Sequence, residues 1–468
     1  MRKRLFALLL AACALTTLVG CGQTKERAAS GELVLRVANC EEYIDLGDWD
    51  EDEAIELEDG TVIFGENSLV DDFETWYEET YGQKIRVEYS TYGTNEELYN
   101  QMSLGDVFDV VCPSEYMIMK LMKEGRLVPL SDEFFNEDTE ENYYSRYASD
   151  YIKGVFTDLN MGGETISKYA GCYMWGTLGI VYNPELVEEG DADHYAFLKN
   201  PTYSKRVTMK DSIRDSYFAG LAIRNESDLQ TPEFIAQEDY REELSERMND
   251  TSVETVQEVE DILSDMRTNA YSLETDSGKA DLVTGKVVAS LQWSGDAVYT
   301  MDQAEEDGVE LAYSVPEECT NLWFDGWVMM KNGIAQDARK QQAAEAFINF
   351  LSRPDNAVRN MYYIGYTSPI AGDADNNLVY QYLDYNYGAE EDEEDVVDYD
   401  LSYFFGEDAD NTITAPASQM NRQLFTQYPP EDVLHRSVVM RYFEGDANDR
   451  IAQMWTNIRC FDLQKLFQ

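Results

Sequence analysis

Apolar positions along this chain recur with two periods, and the alternation between them is the first structural signal. Residues 33–38 (Leu33, Val34, Leu35, Arg36, Val37, Ala38) form a short apolar run that predicts a strand. A helical pattern follows from Ser68, with Leu69, Phe73, Trp76 and Thr80 on one face. It has a Ser-x-x-Asp start and Gly82 beyond its end. Residues 85–89 predict the next strand, 96–102 a helix, 107–112 a third strand, and 116–124 a helix stopped at Gly125. Such strand–helix–strand alternation predicts a mostly parallel sheet covered on both faces. A second series starts at residues 206–209 and continues through a helix at 256–269 and a strand at 287–292. A strand at 327–331 then precedes a strong helix at 338–352, stopped before Pro354. No internal repeat is present.

Two segments break this regularity. Residues 46–67 interrupt the first strand–helix connection and are acidic, with 61–64 as a candidate hairpin arm. Residues 388–411 are rich in Glu, Asp and Tyr and include the run from Glu390 to Asp395. Connections of this length predict insertions or disordered loops outside the core. Asp48, Asp50 and Asp52 are spaced as at the start of a calcium loop, but Glu53 occupies the glycine position, so calcium is not expected. The N-terminus has its own pattern: Arg2, Lys3 and Arg4, then an apolar run over 5–19, then Gly20-Cys21. A charged start, a short apolar stretch and a small-residue cut predict a secretory signal. The run is shorter than the ~20 residues of a membrane span. Leu18-Val19-Gly20-Cys21 resembles a bacterial lipobox. Residues 1–20 are therefore expected to be removed, 21–32 to form a tether, and Cys21 to carry lipid. The protein is expected outside the cytoplasmic membrane, in a periplasm or on the outer face of a Gram-positive cell, held by its lipid anchor alone.

Composition narrows the function classes. The net charge of −55, from 91 acidic against 36 basic residues, excludes electrostatic affinity for nucleic acid or anionic lipid. It favours cationic ligands. Beyond Cys13 and Cys21, Cys40, Cys112, Cys172, Cys319 and Cys460 remain, an odd number without a C-x-x-C pair. Neither a disulfide framework nor a zinc site is expected. Cys40 and Cys112 end strands that should be neighbours; a bond between them is open, and two free thiols are the expectation. The two histidines, His194 and His435, suggest neither metal ligation nor catalysis, and no cofactor is expected.

At this point the chain resembles a known family, the receptors of polyamine ABC importers, or spermidine/putrescine-binding proteins. The matching pieces begin with Asn39-Cys40-Glu41-Glu42-Tyr43 after the first strand, and Tyr89-Ser90-Thr91-Tyr92 followed by Asn95-Glu96. Next come Phe108-Asp109-Val110-Val111-Cys112-Pro113-Ser114-Glu115-Tyr116 and Tyr173-Met174-Trp175-Gly176-Thr177. Gln292-Trp293-Ser294-Gly295, Trp323-Phe324-Asp325, Ile348-Asn349-Phe350-Leu351-Ser352-Arg353-Pro354 and Ile364-Gly365-Tyr366-Thr367-Ser368-Pro369 complete the series. Each is weak alone; their order along most of the mature chain is specific.

The resemblance implies an α/β periplasmic-binding-protein fold of two lobes, each a mostly parallel sheet flanked by helices and joined by several hinge crossings. One lobe would comprise 33–175 and 325–364, the other 176–324 and 365–468. It also implies a ligand cage: Asp325 as the principal carboxylate, Trp323 and Trp293 as aromatic walls, and Tyr43 and Tyr116 as the opposing wall. Ser114 would give a hydrogen bond, Asp211 and Asp215 would grip a terminal amine, and Glu42 would face the other end. The Asp211–Asp215 spacing is one residue longer than the family's. Cys40 replaces a tryptophan and Glu41 a small hydroxyl residue, so the cage loses an aromatic wall and gains a charge.

Polyamine chemistry explains such a set. Each ammonium leaving water needs a carboxylate or other acceptor, because an unpaired buried charge is prohibitive. Aromatic faces serve the methylenes and cations at ~0.5–2 kcal/mol per contact. The implied protein is a monomeric, non-enzymatic receptor delivering its ligand to a permease and ATPase on other chains. A sugar, an amino acid or a thiamine-like cation in the same fold is the alternative. A surface hydrolase is a rival of another class, but no nucleophile motif supports it.

Overall fold

Strands that are apolar on both faces require cover on both sides, and the chain supplies it with one long sheet between helices. The computed structural model describes residues 32–460 except 276, 374, 375, 391 and 407–409. The expected signal sequence and Cys21 lie outside the described residues. The principal strands are β1 (Leu33–Cys40), β2 (Ile85–Tyr92), β3 (Val110–Val111), β4 (Ala170–Tyr182), β5 (Val207–Lys210), β6 (Ser272–Glu274), β7 (Ala289–Trp293) and β8 (Thr320–Met330). They lie in the order β6-β5-β7-β4-β8-β3-β1-β2 within an 11-stranded sheet. β1 is parallel to β2 and β3, and β5 to β6 and β7. The long strands β4 and β8 run antiparallel to each other and to β7 and β3. Their outer halves belong to different cores. One core packs beneath β1, β3 and the start of β4; the other gathers around the end of β4, β5, β7 and the segment from Val438 to Ile458. This is the expected two-lobed α/β architecture.

The helices start and stop where local chemistry dictates. In α1 (Leu69–Tyr81), Ser68 Oγ accepts from the Asp71 N–H at 3.1 Å, and Gly82 closes the end at φ 65°. Its buried face is Leu69, Phe73 and Tyr77; Thr80, expected there, is exposed. Tyr77 follows Phe73 by four residues and rests on its ring at 5.6 Å. Helices α2 (Asn95–Leu104) and α3 (Glu115–Lys123) follow β2 and β3, and α4 (Ile213–Leu229) follows β5. α5 (Val253–Asn269) lies against α4, and α6 (Ser294–Glu306) follows β7. Pro354 ends α7 (Lys340–Leu351) and also opens α8 (Pro354–Ile364), since a first-turn proline forfeits no helical hydrogen bond. β3 is shorter than expected because Asp109 turns its side chain onto the Arg36 N–H at 2.7 Å and the Lys340 ammonium at 2.7 Å. β8 starts seven residues before the expected 327, at Thr320, because its interspersed Asn and Asp hide the strand pattern.

Both acidic insertions were expected outside the core, and both contribute to it. Residues 46–67 bury Trp49, Ile55, Leu57 and Ile63, with a small hairpin of Ile55–Glu56 and Val62–Ile63. Arg359 of α8 holds this insertion at both ends. It pairs with buried Asp45 at 2.7 Å and with Asp72 at 2.8 Å, and donates to the Asn67 carbonyl at 2.8 Å. In the second insertion, Val396–Asp400 pairs with Thr412–Pro416, and Tyr399, Leu401 and Phe404 are buried. Apolar residues sparsely placed among acids anchor both segments, which a compositional reading averages away. Phe404 stacks on Trp175 at 5.8 Å and meets Tyr428 edge-on at 5.0 Å. Phe404→Ala should therefore destabilise the fold by about 3–5 kcal/mol, seen as a lower urea midpoint. A loss below ~1 kcal/mol would show the insertion to be dispensable.

Candidate functional site

The ends of β1, β3, β5 and β7 converge on the crossing strands β4 and β8, and the functional side chains gather there. β8 pairs regularly with β4 until a register shift between Asp325 and Gly326. Such a bulge re-aims a side chain, and here it falls at Asp325, which also bridges Ser114 beyond β3. Tyr43 Oη donates to Asp325 Oδ2 at 2.7 Å, and Ser114 Oγ donates to Asp325 Oδ1 at 2.7 Å. Both donors are held from behind. Asn95 donates to Ser114 Oγ at 2.9 Å, and the Tyr43 carbonyl accepts from Tyr173 Oη at 2.6 Å and from Asn39 at 3.0 Å. Burial pushes the Asp325 carboxyl up, against the two hydrogen bonds that favour its ionised form. Burial and the neighbouring Asp325 also push the Tyr43 hydroxyl up, so it remains a donor. Among the described residues, no Lys, Arg or His nitrogen lies within ion-pair distance of Asp325.

Aromatic rings enclose this carboxylate. Tyr366, from the crossing after α8, meets Tyr43 edge-on at 5.0 Å and Trp323 at 5.7 Å. The Trp323 indole donates to the Thr177 carbonyl at 3.2 Å. Gly176 permits this approach, since a Cβ there would stand 2.6 Å from the Trp323 ring. Gly365 ends α8 at φ 78°, turning the chain into Tyr366.

The other side of the site carries its own cations. Buried Lys210, at the end of β5, pairs with Asp296 at 2.9 Å and lies 3.7 Å above the Trp293 ring. Lys279 binds the second Asp296 oxygen at 2.9 Å, and Tyr366 Oη donates to Asp296 at 2.9 Å. Burial opposes ionisation of Asp296, yet the two ammoniums hold its carboxyl at about 2. Arg214, in the first turn of α4, is fixed by the Met440 and Arg441 carbonyls at 2.9 and 3.1 Å. Its guanidinium reaches the opposite lobe, 4.0 Å above the Tyr116 ring and 3.8 Å from Glu115. Burial pushes buried Glu115 up to about 7 despite that cation. Lys123 of α3 also meets Glu444 before the last helix at 2.6 Å.

The expected site residues therefore divide. Asp325, Tyr43, Ser114 and Trp323 come together around one carboxylate. Trp293 and Tyr116 border the site, but each has a ring face covered by a cation of this chain, and Tyr116 Oη donates to Glu96 at 3.0 Å. Asp211 is paired with Arg459 at 2.9 Å, while its Oδ1 is buried without a hydrogen-bond partner. Asp215 is buried in α4, where its N–H is capped by Ser212. Glu42 is exposed at φ 53°, with no hydrogen bond from it into the cluster. Cys40 and Cys112, at the ends of adjacent strands, form no disulfide. Tyr366, Asp296, Lys210, Lys279, Arg214 and Glu115 were not singled out from sequence. Glu115 and Tyr366 lie inside quoted motifs without having been given a role, and Asp296 directly follows Gln292-Trp293-Ser294-Gly295. The three cations carried no motif.

Comparison with known proteins identifies the family and the fold. The family of bacterial extracellular solute-binding proteins matches residues 68–382. The spermidine/putrescine-binding periplasmic protein of Salmonella typhimurium is 24% identical over 291 residues, 61% of this chain and 70% of the relative. The putrescine-binding periplasmic protein PotF of Escherichia coli is 25% identical over 282 residues, 58% of this chain and 67% of the relative. Among solved structures, the spermidine/putrescine substrate-binding protein PotD of Streptococcus pneumoniae superposes with a TM-score of 0.58 at 24% identity, covering 92% of this chain and 99% of that one. A putative spermidine/putrescine ABC transporter protein from Listeria monocytogenes gives 0.60 at 21% identity, with the same coverage.

Glu115 makes the electrostatics testable. Its folded value of about 7 lies above the ordinary 4.5, so protonation favours the fold. The ionised group costs stability above both values, and the cost accrues as pH rises from 4.5 to about 7, reaching roughly 3 kcal/mol. Glu115→Gln should raise the melting temperature relative to wild type at about pH 8, with the advantage shrinking toward about pH 5. Arg214 keeps its backbone carbonyl partners in that variant. An offset independent of pH would contradict the argument.

Proposed function

Because the chain belongs to the bacterial extracellular solute-binding protein family, a family of transport receptors rather than of enzymes, we propose that it captures a polyamine, spermidine or putrescine, for an ABC importer. The permease and ATPase are separate chains. The observation that carries this reading is Asp325: a carboxylate held by two neutral hydroxyl donors, walled by Tyr43, Tyr366 and Trp323, with no cation of its own among the described residues. An ammonium is the group that such a site lacks. The polyamine-binding relatives support the same cargo.

The proposal includes the lobe division at 33–175 with 325–364 and 176–324 with 365–468, a monomeric state, and anchoring through Cys21. Closure of the lobes traps the ligand. Arg214 on Tyr116 and Lys123 on Glu444 supply contacts that a closed form needs. Among the described residues, no helix is long and apolar enough to cross a membrane.

One observation favours a second reading, a cargo with a single ammonium. In the family-like cage, Trp293 and Tyr116 would receive ligand cations, but Lys210 and Arg214 lie over those rings. A monocationic solute would use Asp325 and leave both side chains in place.

Spermidine and putrescine should each raise the melting temperature, a ligand at ~100 times its Kd adding ~2.7 kcal/mol. A shift with amino acids and none with either polyamine would support the second reading; a shift with a neutral sugar alone would overturn both. Asp325→Asn should weaken polyamine binding by ~2–5 kcal/mol in calorimetry. Glu393→Gln, in the exposed acidic run, should act only through screened long-range attraction. Equal losses would mean that bulk charge, not a built site, attracts the ligand.

A further inference from the structure

Apart from the cluster around Asp325, three side chains bring their metal-ligating atoms together. The donor atoms of His194, Glu226 and Glu318 lie within 4.8 Å of each other. His194 Nδ1 stands 3.4 Å from Glu318 Oε1. Neither oxygen of Glu318, a residue only 1% exposed, has a hydrogen-bond partner. The Gln230 amide lies 3.2 Å from the same His194 nitrogen. If that amide donates, the imidazole lone pair and the carboxylate are two acceptors face to face. Such an arrangement needs a cation between them.

The surrounding chain holds this geometry. Asp193, next to His194, accepts from Ser314 Oγ at 2.6 Å and from the Glu317 N–H at 2.8 Å, fixing the loop opposite Glu318. Glu226 projects from α4.

We propose that His194, Glu226 and Glu318 bind one first-row divalent metal cation, with water as the fourth ligand. Two carboxylates balance a dication, and the imidazole favours zinc-like metals over magnesium or calcium. Ligand bonds of ~2.0–2.2 Å place tetrahedral donor atoms roughly 3.4 Å apart. Rotation of the half-buried His194 and Glu226 side chains supplies the remaining contraction. This departs from the sequence-based expectation that neither histidine ligates a metal, because sequence did not bring Glu226 and Glu318 to His194. The ion would join the 190–199 loop, α4 and the approach to β8. Glu318 lies seven residues before Asp325, roughly 23 Å along an extended strand, so this is not the solute site. It is a cross-link within the lobe that carries Lys210 and Arg214.

Zn2+ is the probe, applied by titration calorimetry to the purified, chelator-treated protein. Cys460→Ser serves as background because that exposed thiol would itself bind zinc. One Zn2+ per chain and a raised melting temperature are expected, with Mg2+ giving neither. Co2+ should give the visible absorption of a tetrahedral site. His194→Ala, Glu226→Gln and Glu318→Gln should each weaken Zn2+ binding tenfold or more, whereas Asp325→Asn should leave it unchanged. His194→Ala and Glu226→Gln change half-buried side chains, so they keep the test valid if Glu318→Gln fails to fold. No stoichiometric Zn2+ binding, or binding that survives the substitutions, would overturn the proposal and leave a shared proton as the cation.

Discussion

A carboxylate that leaves water must find a partner, and two acids of this candidate site answer that constraint in opposite ways. Asp296 is satisfied within the chain: two lysine ammoniums and a tyrosine hydroxyl surround it, and its carboxyl stays strongly acidic. Asp325 receives only the hydroxyls of Tyr43 and Ser114, and burial pushes its carboxyl up. One is finished without a ligand; the other is arranged but incomplete. The bulge in β8, the Asn95 support behind Ser114 and the Tyr173 support behind Tyr43 all serve the incomplete one.

The cations near Asp325 depart from the aromatic cage that the family resemblance implied. An aromatic face attracts whichever cation reaches it, and a tethered lysine or arginine has no translational entropy left to lose. Lys210 and Arg214 therefore already occupy one face each of Trp293 and Tyr116. Arg214 does so across the cleft, held by carbonyls of one lobe while touching a ring of the other. Selectivity in such a site depends on the difference between displacing these side chains and leaving them in place.

Sequence made visible what is local and periodic. The alternation of strands and helices, the Ser68 cap and the Gly82 stop follow from nearest-neighbour chemistry, and the structure has them, with β8 the element that starts well ahead of its expected position. Asp325, Tyr43 and Ser114 were reached because a family resemblance carried their order along the chain. What stayed hidden needs three dimensions. Thr80 yields to Tyr77 on the face of α1, and Phe404 is drawn from an acidic insertion onto Trp175. Lys210 and Arg214 are ordinary basic residues until folding sets them over rings 83 and 98 positions away along the chain. Glu318 and His194 likewise meet only in the folded lobe.

The same separations set when the Asp325 cluster can exist. Tyr43 and Asp325 are 282 residues apart, and Arg214 is 226 residues from the Met440 carbonyl that fixes it. Contacts at such range bear their loop-closure entropy before they return any energy. A growing chain shorter than 325 residues has no Asp325 at all, and one shorter than 440 lacks the carbonyls that steady Arg214. The Asp325 cluster, with Arg214 steadied beside it, is thus a property of the finished molecule alone. No stretch of chain that ends before Asp325 can assemble it.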